Sequence, residues 1–261
     1  MTGPLLRIIC LVSAGFYYGA FAASYRRKEK GGVISFVLWM MGLALNAAIV
    51  INNWVVNGYM PFVSMYQVLT FLGATYGLIY IYIRYAHGGG WMKRYLMISQ
   101  AVIMTGVFFM AQDAQWTFPP ALQSPFFIPH VFSYMVSYTL VALAAIVCVV
   151  SFLVAKEQKK KYEGGVYQLI STGFPFMVTG MLLGALWANE CWGNYWSWDH
   201  KEAWSLVTVL SLSVYLHFRR QERLKKYAIW FVLLAMVFEI VTLFFVGMFG
   251  GDSMRICGLQ K

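Results

Sequence analysis

Eight long apolar runs, separated by short polar connections, constrain this chain more than any other feature. They read as approximately Leu5–Tyr25, Val33–Val56, Met65–Tyr85, Tyr95–Met110, His130–Ala155, Val166–Trp187, Trp204–Phe218 and Tyr227–Phe249. About 20 apolar residues in a helix cross the roughly 30 Å of hydrocarbon in a bilayer. The fourth and seventh runs are the short ones. An ordinary soluble domain carries about 25% charged residues, whereas this chain carries 11%, with 60% hydrophobic. It cannot clothe a water-facing surface, so lipid is its solvent. The expected fold is an all-α, polytopic transmembrane bundle of about eight spans. The first run lacks a basic leader and a small-residue cleavage site, and is read as a mature helix.

The basic residues orient the bundle. Arg26, Arg27, Lys28 and Lys30 follow run one; Arg84, Lys93 and Arg94 follow run three. Lys156, Lys159, Lys160 and Lys161 follow run five, and Arg219, Arg220, Arg223, Lys225 and Lys226 follow run seven. These alternate connections hold 16 of the 20 Lys and Arg residues, and the positive-inside rule assigns them to the cytoplasm. Both termini and the connections 57–64, 111–129 and 188–203 are then expected outside, in an inner (cytoplasmic) membrane, on the periplasmic or extracytoplasmic side. The outer connections are rich in Trp, Tyr, Phe and Pro, as interfacial structure is. The lysine-rich stretch around Lys159 and the Gly88–Gly90 triplet read as turns.

A formal charge of +10 raises the question of nucleic acid, but its sources are loop clusters and not a continuous basic face, so no nucleic-acid partner is expected. Cys10, Cys148, Cys191 and Cys257 form no C-x-x-C pair, which excludes a covalent c-type haem motif and a thioredoxin-like dithiol. No phosphate loop, zinc spacing or Ser-His-Asp arrangement is legible.

One connection stands apart. Residues 187–204 hold Trp187, Trp192, Tyr195, Trp196, Trp198 and Trp204, more rings than an interfacial belt of one or two per helix end requires. Such a lining suits a flat, apolar, polycyclic ligand, because aromatic rings bury large area at small entropic cost and keep N–H and O–H groups at the edge. Glu190, Asp199, Lys201 and Glu202 lie among them; Asp199 and Glu202 read equally as a helix-capping network at the start of run seven.

The run W-A-N-E-C-W-G-N-Y-W-S-W-D-H-K-E-A-W resembles the tryptophan-rich WWD signature of the haem-handling protein family, in its CcsA/ResC branch of cytochrome c biogenesis. Pro120 to Met135 is similar to that family's segment with an external haem-ligating histidine, which falls on His130. Tyr215-Leu-His217-Phe-Arg219 resembles its Y-L-H-x-R, whose histidine is associated with haem inside the membrane. Gly58 to Gln67 resembles its motif after the second span, with Ser64 and Gln67 where Asn and Glu are common. On this resemblance, residues 58–261 form a CcsA-like haem-handling membrane domain with an external Trp-rich loop 187–204, and residues 1–57 supply two further helices.

The resemblance implies haem b as ligand and substrate, its delivery for covalent attachment to apocytochrome c, and a CcsB/ResB-type membrane protein as partner in a possible haem lyase complex. It implies iron ligation by His130 and, nearer the cytoplasm, by His217; a wall of Trp187, Trp192, Tyr195, Trp196, Trp198 and Trp204; and charged contacts from Asp199, Lys201 and Glu202, with Lys201 meeting a propionate. Two departures stand out. His200 occupies a position where proline is usual, and the C-terminal stretch from Gly247 to Met254 lacks the expected second external histidine. The second axial ligand is left open among His200, Met248, Met254, water and a partner's residue. Glu239, in the middle of run eight, is a functional candidate because a carboxylate is costly there. The competing class is a membrane transporter or a haem-bearing electron-transfer subunit.

Overall fold

A computed structural model describes residues 3–25, 29–110 and 120–245. Among the described residues there are eight α-helices and no strand: α1 Gly3–Ala23, α2 Glu29–Asn57, α3 Met65–His87, α4 Lys93–Phe108, α5 Phe127–Leu153, α6 Lys156–Trp192, α7 His200–Arg220 and α8 Lys225–Ile240. Each falls on one of the eight apolar runs. Six, all but α4 and α7, are long and apolar enough to cross a membrane. α4 has only 16 residues, and α7 carries Lys201 and Glu202 at its start and Arg219 and Arg220 at its end. Large apolar side chains face outward, among them Val55, Leu78 and Leu153, at 76%, 65% and 81% exposure, an inversion of water-soluble design. The fold is that of a multi-pass membrane protein.

The lysine-rich stretch around Lys159 is not a turn. It forms the exposed opening turns of α6, whose 37 residues span about 55 Å, well beyond the hydrocarbon core. Helical continuation there costs little, because lysine is a good helix former and its ammonium groups stay in water. The Gly88–Gly90 triplet does form a turn: Gly88 caps α3 in the left-handed region at φ 61°, which glycine adopts without a Cβ clash.

The helices divide into two compact units, Met1–Phe118 and Pro119–Lys261. In the first, α1 packs on α2 and α4, and α3 packs on the same two helices. Some of its buried polar groups pair across helices. Trp39 Nε1 donates to Gln100 Oε1 at 2.6 Å, and Gln100 Nε2 donates to the Gly73 carbonyl at 2.9 Å. The chain enters α3 through a capping box, in which Ser64 Oγ accepts from Gln67 N and Gln67 Oε1 accepts from the Val63 and Ser64 amides. Ser and Gln here keep the acceptors that Asn and Glu would supply.

In the second unit α5 lies along α6 and α7 along α8, with further packing of α8 on α5 and α7 on α6. The α5–α6 approach is set by three glycines of α6. A Cβ on Gly173 would lie 3.1 Å from Leu140 Cβ, on Gly180 3.0 Å from Tyr134 Cδ2, and on Gly184 2.6 Å from His130 Cε1. Gly180-Met-Leu-Leu-Gly184 is the G-x-x-x-G pattern by which membrane helices bring backbone against a neighbour.

Candidate functional site

His130 sits in the first turn of α5, where Pro129 is tolerated because a first-turn N–H has no intrahelical partner. The close approach at Gly180 and Gly184 lets the imidazole lie directly on α6. His130 Nδ1 is 2.7 Å from the Gly180 carbonyl oxygen. A carbonyl only accepts, so Nδ1 carries the proton and donates; in the neutral ring Nε2 then presents a lone pair. Nε2 has no hydrogen-bond partner among the described residues. A backbone carbonyl holding one imidazole nitrogen while the other points free is the arrangement of a metal-ligating histidine.

Two aromatic rings contact the imidazole. Trp187 stacks on it at 5.8 Å between centroids and 28° between planes, and Tyr134 meets it edge-on at 5.0 Å. Trp192 packs against Trp187 at 4.9 Å and Phe127 packs against it at 5.3 Å, so α5 and the end of α6 share one aromatic cluster. Trp187 is itself anchored: its Nε1 donates to the Ala121 carbonyl at 2.7 Å. Cys191 Sγ approaches the same carbonyl at 3.2 Å, and the Ser124 hydroxyl donates to the Glu190 carboxylate. The short 3₁₀ turn Pro120–Gln123 is thereby tied to the last turns of α6.

The Trp-rich stretch expected as a loop over 187–204 is mostly helical. α6 continues through Trp192 and α7 begins at His200, leaving 193–199 as the turn between them. Gly193 ends α6 in the left-handed region at φ 76°. Asp199 opens α7 with a capping box: its Oδ1 accepts from Glu202 N at 2.8 Å, and Glu202 Oε2 accepts from Asp199 N at 3.3 Å. Glu202 Oε2 also accepts from Ser197 N at 2.8 Å. Both carboxylates thus hold the turn. Within it Trp198 has φ 58°, unusual for a bulky residue, and its indole is 71% exposed. Trp196 meets Trp198 edge-on at 5.7 Å, and the buried Trp196 Nε1 lacks a hydrogen-bond partner.

The expected residues therefore fall into distinct places. His130, Trp187 and Trp192 form one cluster; Trp196 and Trp198 form a pair on the turn; Trp204 packs on Phe238 of α8 at 5.6 Å. Tyr195, His200 and Lys201 are exposed around the turn. His217 is exposed in the last turn of α7, about 25 Å along the helix from the Trp turn, so it cannot share a group with His130 on one face of the turn. Glu239 of α8 is buried at 2% exposure, and its Oε1 lacks a hydrogen-bond partner. Met248, Met254 and Cys257 lie outside the described residues. Sequence reading missed Gly180, Gly184 and the Ala121–Ser124 turn. The G-x-x-x-G spacing was the available signal for the glycines; nothing local marks Ala121 or Ser124.

Comparison with known proteins identifies the family and the fold. The cytochrome c biogenesis protein CcsA of Chlamydomonas reinhardtii is 32% identical over 200 residues, covering 69% of this chain and 56% of that protein. CcsA of Cuscuta reflexa is 30% identical over 75% of this chain and 73% of its own length, and CcsA of Synechococcus sp. (strain JA-3-3Ab) is 26% identical over 81% and 80%. The chain thus spans little more than half of the Chlamydomonas protein. The solved structure of the cytochrome c haem lyase CcmF shares the fold, with a TM-score of 0.70 at 15% identity, covering 95% of this chain and 48% of that one. The family described as Cytochrome C assembly protein matches residues 3–251. With the whole described chain inside that match, this protein belongs to the Cytochrome C assembly protein family.

Proposed function

We propose that this protein binds haem b and presents it for covalent attachment to apocytochrome c, acting with a CcsB/ResB-type membrane partner. The observation that carries the reading is the His130 imidazole, fixed through Nδ1 to the Gly180 carbonyl with Nε2 unpartnered. The site's chemistry fits such a group: a ring nitrogen poised for iron, indoles of Trp187 and Trp192 beside it, and an unsatisfied donor at Trp196 Nε1. Bound haem supplies the vinyl groups that react with cysteine thiols. The protein's residues orient and shield it.

In this reading His130 would ligate the haem iron, and Trp187, Trp192, Tyr195, Trp196, Trp198 and Trp204 would form the platform. Lys201, exposed beside the turn, meets a propionate. Asp199 and Glu202 act by capping α7 and pinning the 197–199 backbone, which sets the indole positions. His217, at the far end of α7, belongs to a second haem position nearer the cytoplasm. The Trp turn faces the periplasmic or extracytoplasmic side, where apocytochrome thiols arrive.

The test is spectroscopic and then functional. Protein purified from haem-replete cells is expected to show a Soret band that weakens in His130→Ala and in Trp196→Ala. With the partner and an apocytochrome present, it is expected to yield thioether-linked haem. A folded, colourless preparation that takes up no added haem refutes the reading and favours a transport role.

A further inference from the structure

We propose that a cavity at the Lys/Arg-bearing end of the second unit binds the phosphate of an anionic phospholipid. The cavity has a volume of about 180 Å³ and lies where α5 ends, α6 begins, and α7 turns into α8. Lys159, Arg219, Lys225 and Lys226 line it against a single carboxylate, Glu163. Lys225 also pairs with Glu222 at 3.4 Å, and Arg219 is held against the Tyr167 ring at 5.2 Å, which leaves a net positive lining. The second sign of a ligand is Tyr215. It lines the same cavity, is 2% exposed, and its hydroxyl has no hydrogen-bond partner. A buried hydroxyl without a partner costs stability unless something supplies an acceptor, and a phosphate oxygen does.

The rest of the wall chooses the source of that phosphate. Phe152 and Trp230, whose rings meet at 5.8 Å, form the apolar side of the cavity and are themselves 47% and 55% exposed. Beyond them, Val149 on α5 and Leu234 and Val237 on α8 are exposed as well. An amphiphile with its head in the cavity finds apolar surface for its chains on these same two helices. A free phosphate has no use for that surface. A tetrapyrrole is too large, since pockets that enclose drug-sized ligands have about 300–1,000 Å³. Basic pockets between membrane helices select anionic headgroups by the same combination of cations and depth.

The experiment uses the full chain, delipidated in detergent, and native mass spectrometry with added phosphatidylglycerol, phosphatidylcholine or inorganic phosphate. One phosphatidylglycerol is expected to bind at least about fivefold more tightly than phosphatidylcholine, because each nearby cation is worth about that factor toward an anionic lipid. Arg219→Gln or Lys226→Gln is expected to weaken phosphatidylglycerol about fivefold, and the pair about thirtyfold. Tyr215→Phe removes only the hydroxyl and is expected to weaken it about tenfold. Glu163→Gln removes the opposing charge and is expected to tighten binding, an outcome that a variant with a damaged fold does not give. Equal binding of the two lipids, indifference to the Arg219 and Lys226 changes, or weakening in Glu163→Gln overturns the proposal. Displacement of phosphatidylglycerol by an equal concentration of inorganic phosphate overturns it too, by showing a plain anion site.

Discussion

Replacing Gly184 by alanine tests how the imidazole is held without touching the imidazole. The added Cβ would sit 2.6 Å from His130 Cε1 and 2.7 Å from Nδ1. Carbon atoms in good contact stand at about 3.5 Å or more, so the ring must retreat from α6 by about 0.9 Å. Gly180 is on the same helix, and a retreat away from that helix lengthens the 2.7 Å Nδ1···O bond to about 3.6 Å, where it ceases to be a hydrogen bond. The ring cannot sidestep cheaply, since Trp187 and Tyr134 close it in. Overpacking costs about 1–3 kcal/mol and the lost hydrogen bond about 0.5–1.5 kcal/mol. Alanine's better helix propensity returns about 1 kcal/mol. The net loss is then about 0.5–3.5 kcal/mol. Loss of the group that orients a ligand typically lowers metal affinity about 10–100-fold.

Haem affinity is read by Soret titration of purified apoprotein, and stability by thermal unfolding in the same detergent. Gly164→Ala on the same helix is the control, because its Cβ would meet nothing within 4 Å. It is expected to leave haem binding unchanged and to stabilise by about 0.5–1 kcal/mol. If Gly184→Ala folds and keeps wild-type haem affinity and spectrum, the carbonyl-held His130 is not the ligand pose and the reasoning fails.

Three other outcomes are expected. Asp199→Ala removes the α7 cap and is expected to cost about 0.5–2 kcal/mol in thermal unfolding, while Asp199→Asn keeps an acceptor and stays near wild type; equal damage from both points to a role for the charge. Trp198→Gly relieves a left-handed backbone worth about 1–3 kcal/mol, so the melting temperature is expected to hold or rise while haem attachment falls; unchanged attachment shows that the exposed indole is dispensable. Asn194→Cys, exposed on the same turn, is expected to react with a membrane-impermeant maleimide in intact cells, and reaction only after lysis reverses the proposed orientation.

The apolar runs were enough to place all eight helices, because in lipid the period of side-chain burial matters less than unbroken apolar length. What they could not show was where a helix outlasts its apolar part. Lys156 to Glu163 and Trp187 to Trp192 extend α6 at either end, through residues whose polarity or bulk read as connection. At the site, His130 was legible only through resemblance. Its tautomer depends on Gly180, 50 residues away, and on a helix approach that is a tertiary fact. Asp199 and Glu202 were legible as a capping pair from the three-residue spacing alone, since that pairing is local. The edge-on pairing of Trp196 with Trp198 was not, because a turn of 193–199 with one left-handed tryptophan has no sequence signature. Nor did anything in the sequence mark Tyr215 as an unpaired hydroxyl beside four cations.

The central claim is that His130 Nε2 ligates haem iron, and chemical rescue tests it most directly. His130→Gly leaves a gap the size of an imidazole between Trp187 and Tyr134. The variant is expected to lose the Soret band of the wild-type protein and to regain it, at the same wavelength, when free imidazole is added with haem. A Soret band that persists unchanged in His130→Gly without imidazole contradicts the account.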